Sequence, residues 1–234
     1  MAKQSRLAAL IGERAVGVLD YYFRPGLRRR WGGGGFNGQG HRQRMFREIH
    51  ERFAPAAIVE TGTFRGNTTL LFAQTGLPVA TAERSPRFQA FALRMLSGYP
   101  NVDLRQCDSR AFLRALASEK FHLDECVFFY LDAHWEKDLP LREELEIIFG
   151  HWRKPIVMID DFQVPGTQYR YDDYGPGMAL TLDYLKPIES LGFVAFFPSV
   201  ADTEETGKTR GSVVLCRSEQ APLLEALPSL KRQT

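Results

Sequence analysis

The stretch AIVETGTFRGNTTLLFAQ, residues 57–74, contains the pattern that decides the fold. A short apolar run reaches Glu60, a turn with Gly62 and Gly66 follows, and Asn67 opens a helix-like run that ends before Gly76. An apolar strand that leads through glycines into a helix is typical of α/β proteins. The rest of the chain repeats this alternation of strand and helix.

Four more mostly apolar segments predict strands at residues 79–83, 102–106, 127–132 and 155–160. Strands that are apolar on both faces are typical of a parallel sheet covered by helices on both sides. Two later segments, residues 193–198 and 211–217, are joined without a helical pattern and predict an antiparallel pair at the sheet edge. The sequence therefore predicts a doubly wound, Rossmann-like sheet of seven strands.

The N-terminal segment differs from the rest of the chain. Apolar side chains recur at helical spacing before Pro25 and Gly26, and this apolar stripe needs a surface to cover; its members are Leu7, Ile11, Ala15, Val18 and Tyr22. Residues 28–40 are basic and glycine-rich, which predicts a mobile linker or lid. We expect an appendage over residues 1–40 and a main domain over residues 41–234, with a homodimer through the first helix as one use of that stripe.

The charge and cysteine content narrow the class of protein. The net charge is only +2, but residues 1–52 hold 11 Lys/Arg against 4 Asp/Glu, so the basic excess is local. Three widely separated cysteines indicate a reducing compartment, and no apolar run is long enough to span a membrane. We expect a cytoplasmic protein with no nucleic-acid partner.

The turn after the first strand indicates a nucleotide-like cofactor. NAD fits poorly because Phe64 and Asn67 stand where a dinucleotide motif needs glycine, and ATP fits worse because no lysine follows Gly66. An acidic residue in the turn, Glu60, suits a ligand with a positive amino or sulfonium group. S-adenosylmethionine is such a ligand.

Two further strand ends support this prediction. Glu83 ends the second strand, where a carboxylate can accept ribose hydroxyls, and Asp108 and Ser109 follow the third, where they can meet an adenine edge. Alternatively, Glu83 is a surface residue and Asp108 or Ser109 a helix cap. The predicted cofactor residues are Glu60, Gly62, Thr63, Gly66, Asn67, Thr68, Glu83, Arg84, Asp108, Ser109 and Asp132.

Over about residues 55–217 the chain resembles the class I S-adenosylmethionine-dependent methyltransferases. Its E-x-G-x-x-x-G replaces the commoner E/D-x-G-x-G-x-G, with Phe64 at the middle glycine. The segments VFFYLDAHWEKDLP (127–140) and PIVMIDDF (155–162) are similar to the catechol-type O-methyltransferases and to the macrocin and mycinamicin class of sugar O-methyltransferases. The resemblance implies an O-methyltransferase that acts on a hydroxyl of a sugar, glycosylated natural product or phenol.

In those families, acids at these two strand ends hold Mg²⁺, which implies Asp132, Asp160 and Asp161 as ligands here. The physical chemistry agrees, because three gathered carboxylates repel one another unless a cation compensates them or some take up protons. Oxygen ligands favour Mg²⁺ over zinc. Asp160 or Asp161 could instead cap a turn, with Asp132 alone contacting the cofactor.

Methyl transfer to oxygen requires that the acceptor hydroxyl be positioned and lose its proton. His134 lies two residues after Asp132 and is our first candidate for the base. Lys137 is the rival, because the catechol enzymes have a lysine just after Asp-His-Trp. His134 could also be a simple hydrogen-bonding residue.

The sequence also allows two other functions and two roles for a tyrosine-rich loop. Asp132 and His134 could form half of a metal-dependent oxygenase triad with His151, or the chain could be a non-catalytic cofactor-binding scaffold. The loop at residues 163–177 carries Tyr169, Tyr171 and Tyr174. These rings either stack on an acceptor or pack locally.

Overall fold

The computed structural model describes residues 6–28, 34–134 and 138–233. The strands are β1 Ala57–Thr61, β2 Val79–Ala82, β3 Val102–Arg105, β4 Cys126–Leu131, β5 Lys154–Asp160, β6 Phe193–Pro198, β7 Ser212–Arg217 and β8 Leu230–Arg232. The α-helices are α1 Arg6–Ile11, α2 Glu13–Phe23, α3 Pro25–Arg28, α4 Gly40–Phe53, α5 Asn67–Ala73, α6 Pro86–Met95, α7 Ser109–Ser118, α8 Leu141–His151, α9 Leu182–Leu185 and α10 Ala221–Glu225. Three short 3₁₀ turns complete the described structure, Gly35–Gly38, Lys186–Leu191 and Asp202–Glu204.

All eight strands form one sheet in the order β3-β2-β1-β4-β5-β7-β6-β8. The first five strands pair in parallel, whereas β5 and β7, β6 and β7, and β6 and β8 pair antiparallel. The predicted doubly wound fold is therefore confirmed. The predicted strand count is wrong, because the three-residue β8 adds an eighth strand outside β6 and is too short to show a pattern in the sequence.

Side chains on each strand alternate between two hydrophobic layers. On β4, for example, Phe129 packs with helices α7 and α8, while Phe128 and Tyr130 pack on the opposite face with α4 and α5. This two-sided burial explains why the central strands are apolar throughout. It also leaves the carboxyl ends of β1, β2, β4 and β5 at one edge of the sheet, where polar side chains follow each strand.

The glycine-rich segment does not behave as a linker over its described part. In the 3₁₀ turn Gly35–Gly38, Phe36 is fully buried and packs edge-on against Phe72 and Tyr130, with ring centroids 5.5 and 5.1 Å away. Residues 34–40 are thus packed onto the main domain, because one aromatic ring anchors them. Residues 29–33 of the expected linker lie outside the described residues, and a domain boundary at residue 40 stays a prediction.

The helix α2 docks on α6 through small and polar residues. A Cβ at Gly17 would lie 2.1 Å from the carbonyl oxygen of Arg87, so only glycine allows this approach. Asp20 is buried and accepts hydrogen bonds from Arg87, and the ring of Tyr21 meets that of Phe91 edge-on at 5.4 Å. The docked face is therefore not the apolar stripe that the sequence emphasises.

Candidate active site

A cavity of about 840 Å³ opens at the edge of the sheet where β1, β2 and β4 end. Most residues predicted to bind the cofactor line this cavity, namely Glu60, Gly62, Thr63, Asn67, Thr68, Glu83, Arg84, Asp108, Ser109 and Asp132. Gly66 is the exception. These residues lie close together because they follow the carboxyl ends of neighbouring parallel strands.

The glycines of the turn after β1 have structural roles. Gly62 has φ +88°, and a Cβ there would lie 2.2 Å from the carbonyl oxygen of Asp132, so this glycine lets β1 and β4 end side by side. Gly66 has φ +81°, and its added Cβ would face Leu96, away from the cavity. The prediction that Gly66 touches the cofactor is therefore not supported, since it serves the turn into α5.

Phe64 takes the backbone conformation that a glycine would favour. Its φ is +50°, in the left-handed region, and its ring packs edge-on on Phe88 with centroids 4.4 Å apart. The guanidinium of Arg65 lies 4.3 Å from the centroid of the Phe64 ring. These contacts hold the ring to one side, so the peptide can follow the same path despite the side chain.

Glu60 and Glu83 present carboxylates to the cavity from β1 and β2. Glu60 is buried and accepts hydrogen bonds from Thr69 Oγ1 at 2.5 Å and Thr81 Oγ1 at 2.7 Å. Burial raises the pKa of Glu60 to about 7. Glu83 accepts from the backbone N–H groups of Phe64 and Ser85 at 2.8 and 2.7 Å, which fixes the direction of its carboxylate.

Asp108 and Ser109 lie at the start of α7, beside the cavity. Asp108 caps this helix by accepting the N–H of Arg110 at 3.0 Å, and the guanidinium of Arg110 also donates to it. This arginine lowers the pKa of Asp108 to about 2. The helix-cap alternative thus describes Asp108 well, although the residue still lines the cavity.

At the other end of the cavity, Asp132, His134 and Asp161 each place one side-chain atom within 4.8 Å of the other two. Nε2 of His134 is 3.9 Å from Oδ1 of Asp132. His134 is buried, and Nε2 has no hydrogen-bond partner among the described residues. One carboxylate from β4, one from β5 and one buried imidazole therefore converge on one point.

Asp160 does not join this group, which corrects the expected set of metal ligands. Its carboxylate forms a fully buried ion pair with Arg42 of α4 and accepts a hydrogen bond from the Tyr130 hydroxyl at 2.6 Å. It also accepts the N–H of Asp161 at 2.7 Å. Asp160, the last residue of β5, is therefore buried, whereas Asp161, the first residue after the strand, lines the cavity.

A second arginine compensates the cavity-facing carboxylate. Arg210, just before β7, forms ion pairs with Asp161 and with Asp172. Asp172 also accepts a hydrogen bond from the Tyr174 hydroxyl. Asp161 itself has φ +52°, an unfavourable conformation for a residue other than glycine, and such strain is typical of functional sites.

The charges of this cluster suit an added cation. Four carboxylates, those of Asp132, Asp160, Asp161 and Asp172, meet two guanidinium groups, those of Arg42 and Arg210. Burial, followed by the neighbouring carboxylates, raises the pKa of Asp132 well above its usual range and that of Asp161 to about 7. A divalent cation would relieve the same repulsion, and the converging oxygens of Asp132 and Asp161 are ligands that Mg²⁺ accepts.

The structure supports His134 as a candidate base but excludes the oxygenase triad. His134 lines the cavity, and burial lowers its pKa, which favours the neutral ring. Lys137 lies outside the described residues. His151 is exposed at the end of α8, directly before β5 begins, so it is at the opposite edge of the sheet from Asp132 and the proposed oxygenase triad is wrong.

Two of the three tyrosines of the loop at residues 163–177 have contacts within the protein, and for Tyr171 the two alternatives stay open. Tyr169 is buried in the layer that contains Leu180 and Phe197. Tyr174 donates to the carboxylate of Asp172 and lies 3.4 Å from the carbonyl oxygen of His134. These contacts favour the local-packing alternative for Tyr169, which is buried, and hold the hydroxyl of the half-buried Tyr174 within the protein.

Sequence reasoning missed Arg42, Arg210 and Asp172, the three charged residues that organise the acidic cluster. Arg42 lies on helix α4, Asp172 in the long loop after β5, and Arg210 in the segment just before β7. Arg42 lies three and four residues before Met45 and Phe46 on the buried face of α4, where an apolar residue is the usual expectation. The available signals were this helical spacing of Arg42 and the unmatched charge of Asp160 at the end of an apolar strand.

No protein-family model matches the chain, and no curated protein matches it. Several solved structures share its fold. The O-methyltransferase from Bacillus cereus in complex with S-adenosylhomocysteine is 16% identical, with a TM-score of 0.55 over 76% of this chain and 81% of that chain. The O-methyltransferase TomG from Streptomyces achromogenes, in complex with S-adenosylmethionine, is 17% identical, with a TM-score of 0.53 over 75% and 79% of the two chains.

The amino pentose methyltransferase CalS10 from Micromonospora echinaspora, with bound S-adenosylmethionine, is 15% identical, with a TM-score of 0.50 over 76% of this chain and 90% of that chain. At such low identities, the likeness establishes that the chain has the fold of these enzymes. The evidence for function must come from the residues of the cavity.

Proposed function

We propose that the protein is an S-adenosylmethionine-dependent O-methyltransferase that acts on a hydroxyl of a small molecule. One observation carries the proposal. A single cavity joins Glu60, Glu83 and Ser109, at three strand ends, to the cluster of Asp132, His134 and Asp161. The solved structures that share the fold bind S-adenosylmethionine or S-adenosylhomocysteine, which supports the same cofactor class here.

Glu83 is suited to hold a ribose. Its two oxygens are oriented by the backbone N–H groups of Phe64 and Ser85 and retain lone pairs toward the cavity. Glu60 and Asp132 add negative charge nearby, which favours a ligand that carries a positive amino and sulfonium group. When bound, that cofactor would supply an electrophilic methyl group.

His134 is suited to take the proton of the acceptor hydroxyl. Its buried Nε2 has no hydrogen-bond partner among the described residues and lies 3.9 Å from Oδ1 of Asp132. A neutral imidazole in that position can act as a general base. Lys137 remains the other candidate for this role.

Asp132 and Asp161 are suited to hold Mg²⁺, which would orient the acceptor oxygen and lower its pKa. Asp160 is excluded from this role in our proposal because Arg42 and Tyr130 occupy its oxygens. Both remaining carboxylates line the cavity. A sugar, a glycosylated natural product or a phenol stays the proposed class of acceptor.

The experiment is a calorimetric titration of the protein with S-adenosylhomocysteine and, separately, with NAD. We expect S-adenosylhomocysteine to bind, and Glu83→Gln to weaken its binding about tenfold or more, because a charged hydrogen-bond acceptor is lost. Glu189→Gln is the matched control, since Glu189 is exposed and does not line the cavity. Binding of NAD alone would reject the proposal.

Methyl transfer itself is measured by mass spectrometry. The protein is incubated with S-adenosylmethionine, Mg²⁺ and a panel of phenols and sugars, and the expected product has gained one CH₂. Cofactor binding without transfer to any hydroxyl compound would instead support the non-catalytic scaffold.

A further inference from the structure

Glu144 is a buried acid that the proposed chemistry does not use. It lies on the buried face of α8, together with Leu141 and Leu145, and is only 1% exposed. Burial of a carboxyl group is costly unless partners compensate it. Arg110, whose charge favours the ionised form of Glu144, is already held in an ion pair with Asp108. A carboxyl group in this position therefore calls for a role that an apolar side chain does not supply.

Two hydroxyl groups lie beside the Glu144 carboxyl, each from a different element. Thr61 is the last residue of β1 and Ser109 is the first residue of α7, and both are buried. The two hydroxyls lie close enough to favour the ionised form of Glu144, so they oppose the effect of burial on its pKa. Neither Oε1 of Glu144 nor Oγ1 of Thr61 completes a hydrogen bond among the described residues, so the carboxyl retains the capacity to accept one.

Ser109 is the member of this group that reaches the cavity. It lines the cavity, whereas Glu144 and Thr61 lie behind the lining residues. The neighbouring acid, Asp108, caps α7, and both of its oxygens accept hydrogen bonds from Arg110. Ser109, rather than Asp108, is therefore the side chain after β3 that is left to hydrogen-bond a ligand.

The direction of the Ser109 hydroxyl decides which ligand groups it can bind. A serine hydroxyl has one proton to donate and lone pairs with which to accept, whereas an ionised carboxylate can only accept. A carboxylate behind the serine therefore takes its proton in a hydrogen bond and leaves the oxygen lone pairs for the cavity. An amino group of the ligand, which donates, is then favoured over a carbonyl oxygen, which accepts. Adenine presents an exocyclic amino group at the position where hypoxanthine presents a carbonyl oxygen.

We propose that Glu144 is a positioning residue that accepts the hydroxyl proton of Ser109, so that Ser109 presents a lone pair to the cavity and selects a base with an exocyclic amino group. Glu144 acts through Ser109 and does not touch the ligand, because it does not line the cavity. The inference rests on the proposed function, since it assumes that the adenine of the cofactor lies at the end of the cavity that Ser109 lines. It adds a residue that specifies the base of that cofactor.

The charge of Glu144 sets the direction of this hydrogen bond. Burial raises the pKa of Glu144 to about 7, and the protonated carboxyl can donate to Ser109 and so reverse the bond. The charged or titratable groups that face Glu144 are Asp108 and Arg110 at the start of α7 and Tyr184 on α9. The pKa of Asp108 is lowered to about 2, and the pKa values of Arg110 and Tyr184 are raised, so these three groups keep their charge near neutral pH. The preference for an amino group should therefore rise as the pH rises through about 7.

The test compares the binding of S-adenosylhomocysteine with that of S-inosylhomocysteine, in which a carbonyl oxygen replaces the amino group of the base. Calorimetry at about pH 6 and about pH 8 gives the ratio of the two dissociation constants. Groups at the other end of the cavity that titrate in this range, such as Glu60 and Asp161, affect both ligands alike and cancel in the ratio. We expect the wild type to prefer S-adenosylhomocysteine, with a ratio that rises severalfold between the two pH values.

Glu144→Gln should remove most of this preference. The side-chain amide can donate to Ser109, so the ratio at the higher pH should fall about tenfold and lose its pH dependence. Ser109→Ala should also lose the preference, and adding Glu144→Gln to it should have no further effect, because the acid acts only through the serine. Glu146→Gln is the matched control, since Glu146 is exposed on the same helix, and it should keep the wild-type ratio.

Circular dichroism checks that each variant is folded, and if Glu144→Gln does not fold, the pH dependence of the wild-type ratio decides. The inference is wrong, although the proposed function stands, if the wild-type ratio is the same at both pH values. It is equally wrong if Glu144→Gln weakens both ligands by the same factor, which indicates a structural role, or if its effect adds to that of Ser109→Ala. Failure of the wild type to bind S-adenosylhomocysteine would instead reject the proposed function, and the inference with it.

Discussion

Arg42 of α4 and Asp160 of β5 form an ion pair in which both side chains are only 1% exposed. The guanidinium also donates to the carbonyl oxygens of Arg210 and Gly211, the latter at 3.0 Å. One acid of the Asp160-Asp161 pair is therefore compensated inside the domain, and its neighbour is compensated at the cavity by Arg210. Paired negative charge at the end of an apolar strand is explained first by two arginines and only then by an added cation.

Arg42→Gln should strongly destabilise the protein, because it leaves a buried carboxylate without its partner. We expect a loss of about 3–5 kcal/mol in the free energy of unfolding, measured by urea denaturation. Arg44→Gln is the matched control on the same helix, since Arg44 pairs with Glu48 at a site where the arginine is 55% exposed. It should cost about 1 kcal/mol or less.

A double variant separates the ion pair from the packing of Arg42. Asp160→Asn added to Arg42→Gln should recover part of the lost stability, because the uncompensated charge is gone. If the double variant instead loses as much stability as the two single variants added together, Arg42 and Asp160 do not interact energetically and the ion pair does not stabilise the fold.

Metal binding and proton transfer should depend on different residues of the cluster. Asp132→Asn should weaken binding of Mg²⁺ or Mn²⁺ about tenfold or more, because a charged oxygen ligand is lost. His134→Gln should leave that affinity within a few-fold and abolish methyl transfer, because it removes the base. Calorimetry measures the metal affinity, and product formation measures methyl transfer.

Asp138→Asn is the control for these variants, since Asp138 lines the same cavity but pairs with Arg84 and Arg110. Its metal affinity should be unchanged. A His134→Gln protein that loses the metal as fully as Asp132→Asn would instead make His134 a ligand and leave Lys137 as the candidate base.

Gly17→Ala should loosen the docking of α2 on α6. Its methyl group would lie 2.1 Å from the carbonyl oxygen of Arg87, and relieving that overlap should cost about 1–3 kcal/mol. Limited trypsin digestion should then cleave at Arg24 or Arg28 faster than in the wild type. Gly150→Ala in α8 meets nothing within 4 Å and should be neutral or stabilising. Unchanged digestion of Gly17→Ala would contradict the observed packing.

The parallel core was predictable because each strand is apolar on both faces and each crossover is punctuated by residues such as Gly62, Ser85 and Gly76. The same reasoning located the cavity, since Glu60, Glu83 and Asp132 follow strands that must end at one edge. In a parallel sheet, the residues that follow neighbouring strands must lie close together, so the local strand pattern also predicts the position of the cavity.

The partners of the acids were not predictable in this way. Arg42 reaches Asp160 across 118 positions of sequence. Its helical spacing from Met45 and Phe46 sets it apart from the exposed Arg44, but nothing local identifies Asp160 as its partner. Phe36 likewise turns a glycine-rich stretch into part of the core through contacts with Phe72 and Tyr130. Long-range packing of single side chains decides these features, and neither composition nor periodicity reports it.

Glu144 of α8 is a buried carboxyl whose burial raises its pKa from 4.5 to about 7. Its proton leaves the unfolded chain near pH 4.5 but leaves the folded protein only near pH 7. Between these values the unfolded state binds fewer protons than the folded state, so this group makes the protein less stable as pH rises. The full effect is reached above about pH 7.

Glu144→Gln should remove this contribution, because the amide does not ionise. The free energy of unfolding of the wild type should fall between pH 4.5 and about 7 relative to the variant, by at most about 3 kcal/mol for a shift of this size. Urea denaturation across that pH range measures the difference. Glu143→Gln, at an exposed position on the same helix, should follow the wild-type curve. Parallel curves for the wild type and Glu144→Gln would mean that the pKa of Glu144 is the same in the folded protein as in the unfolded chain, which would contradict the effect of burial.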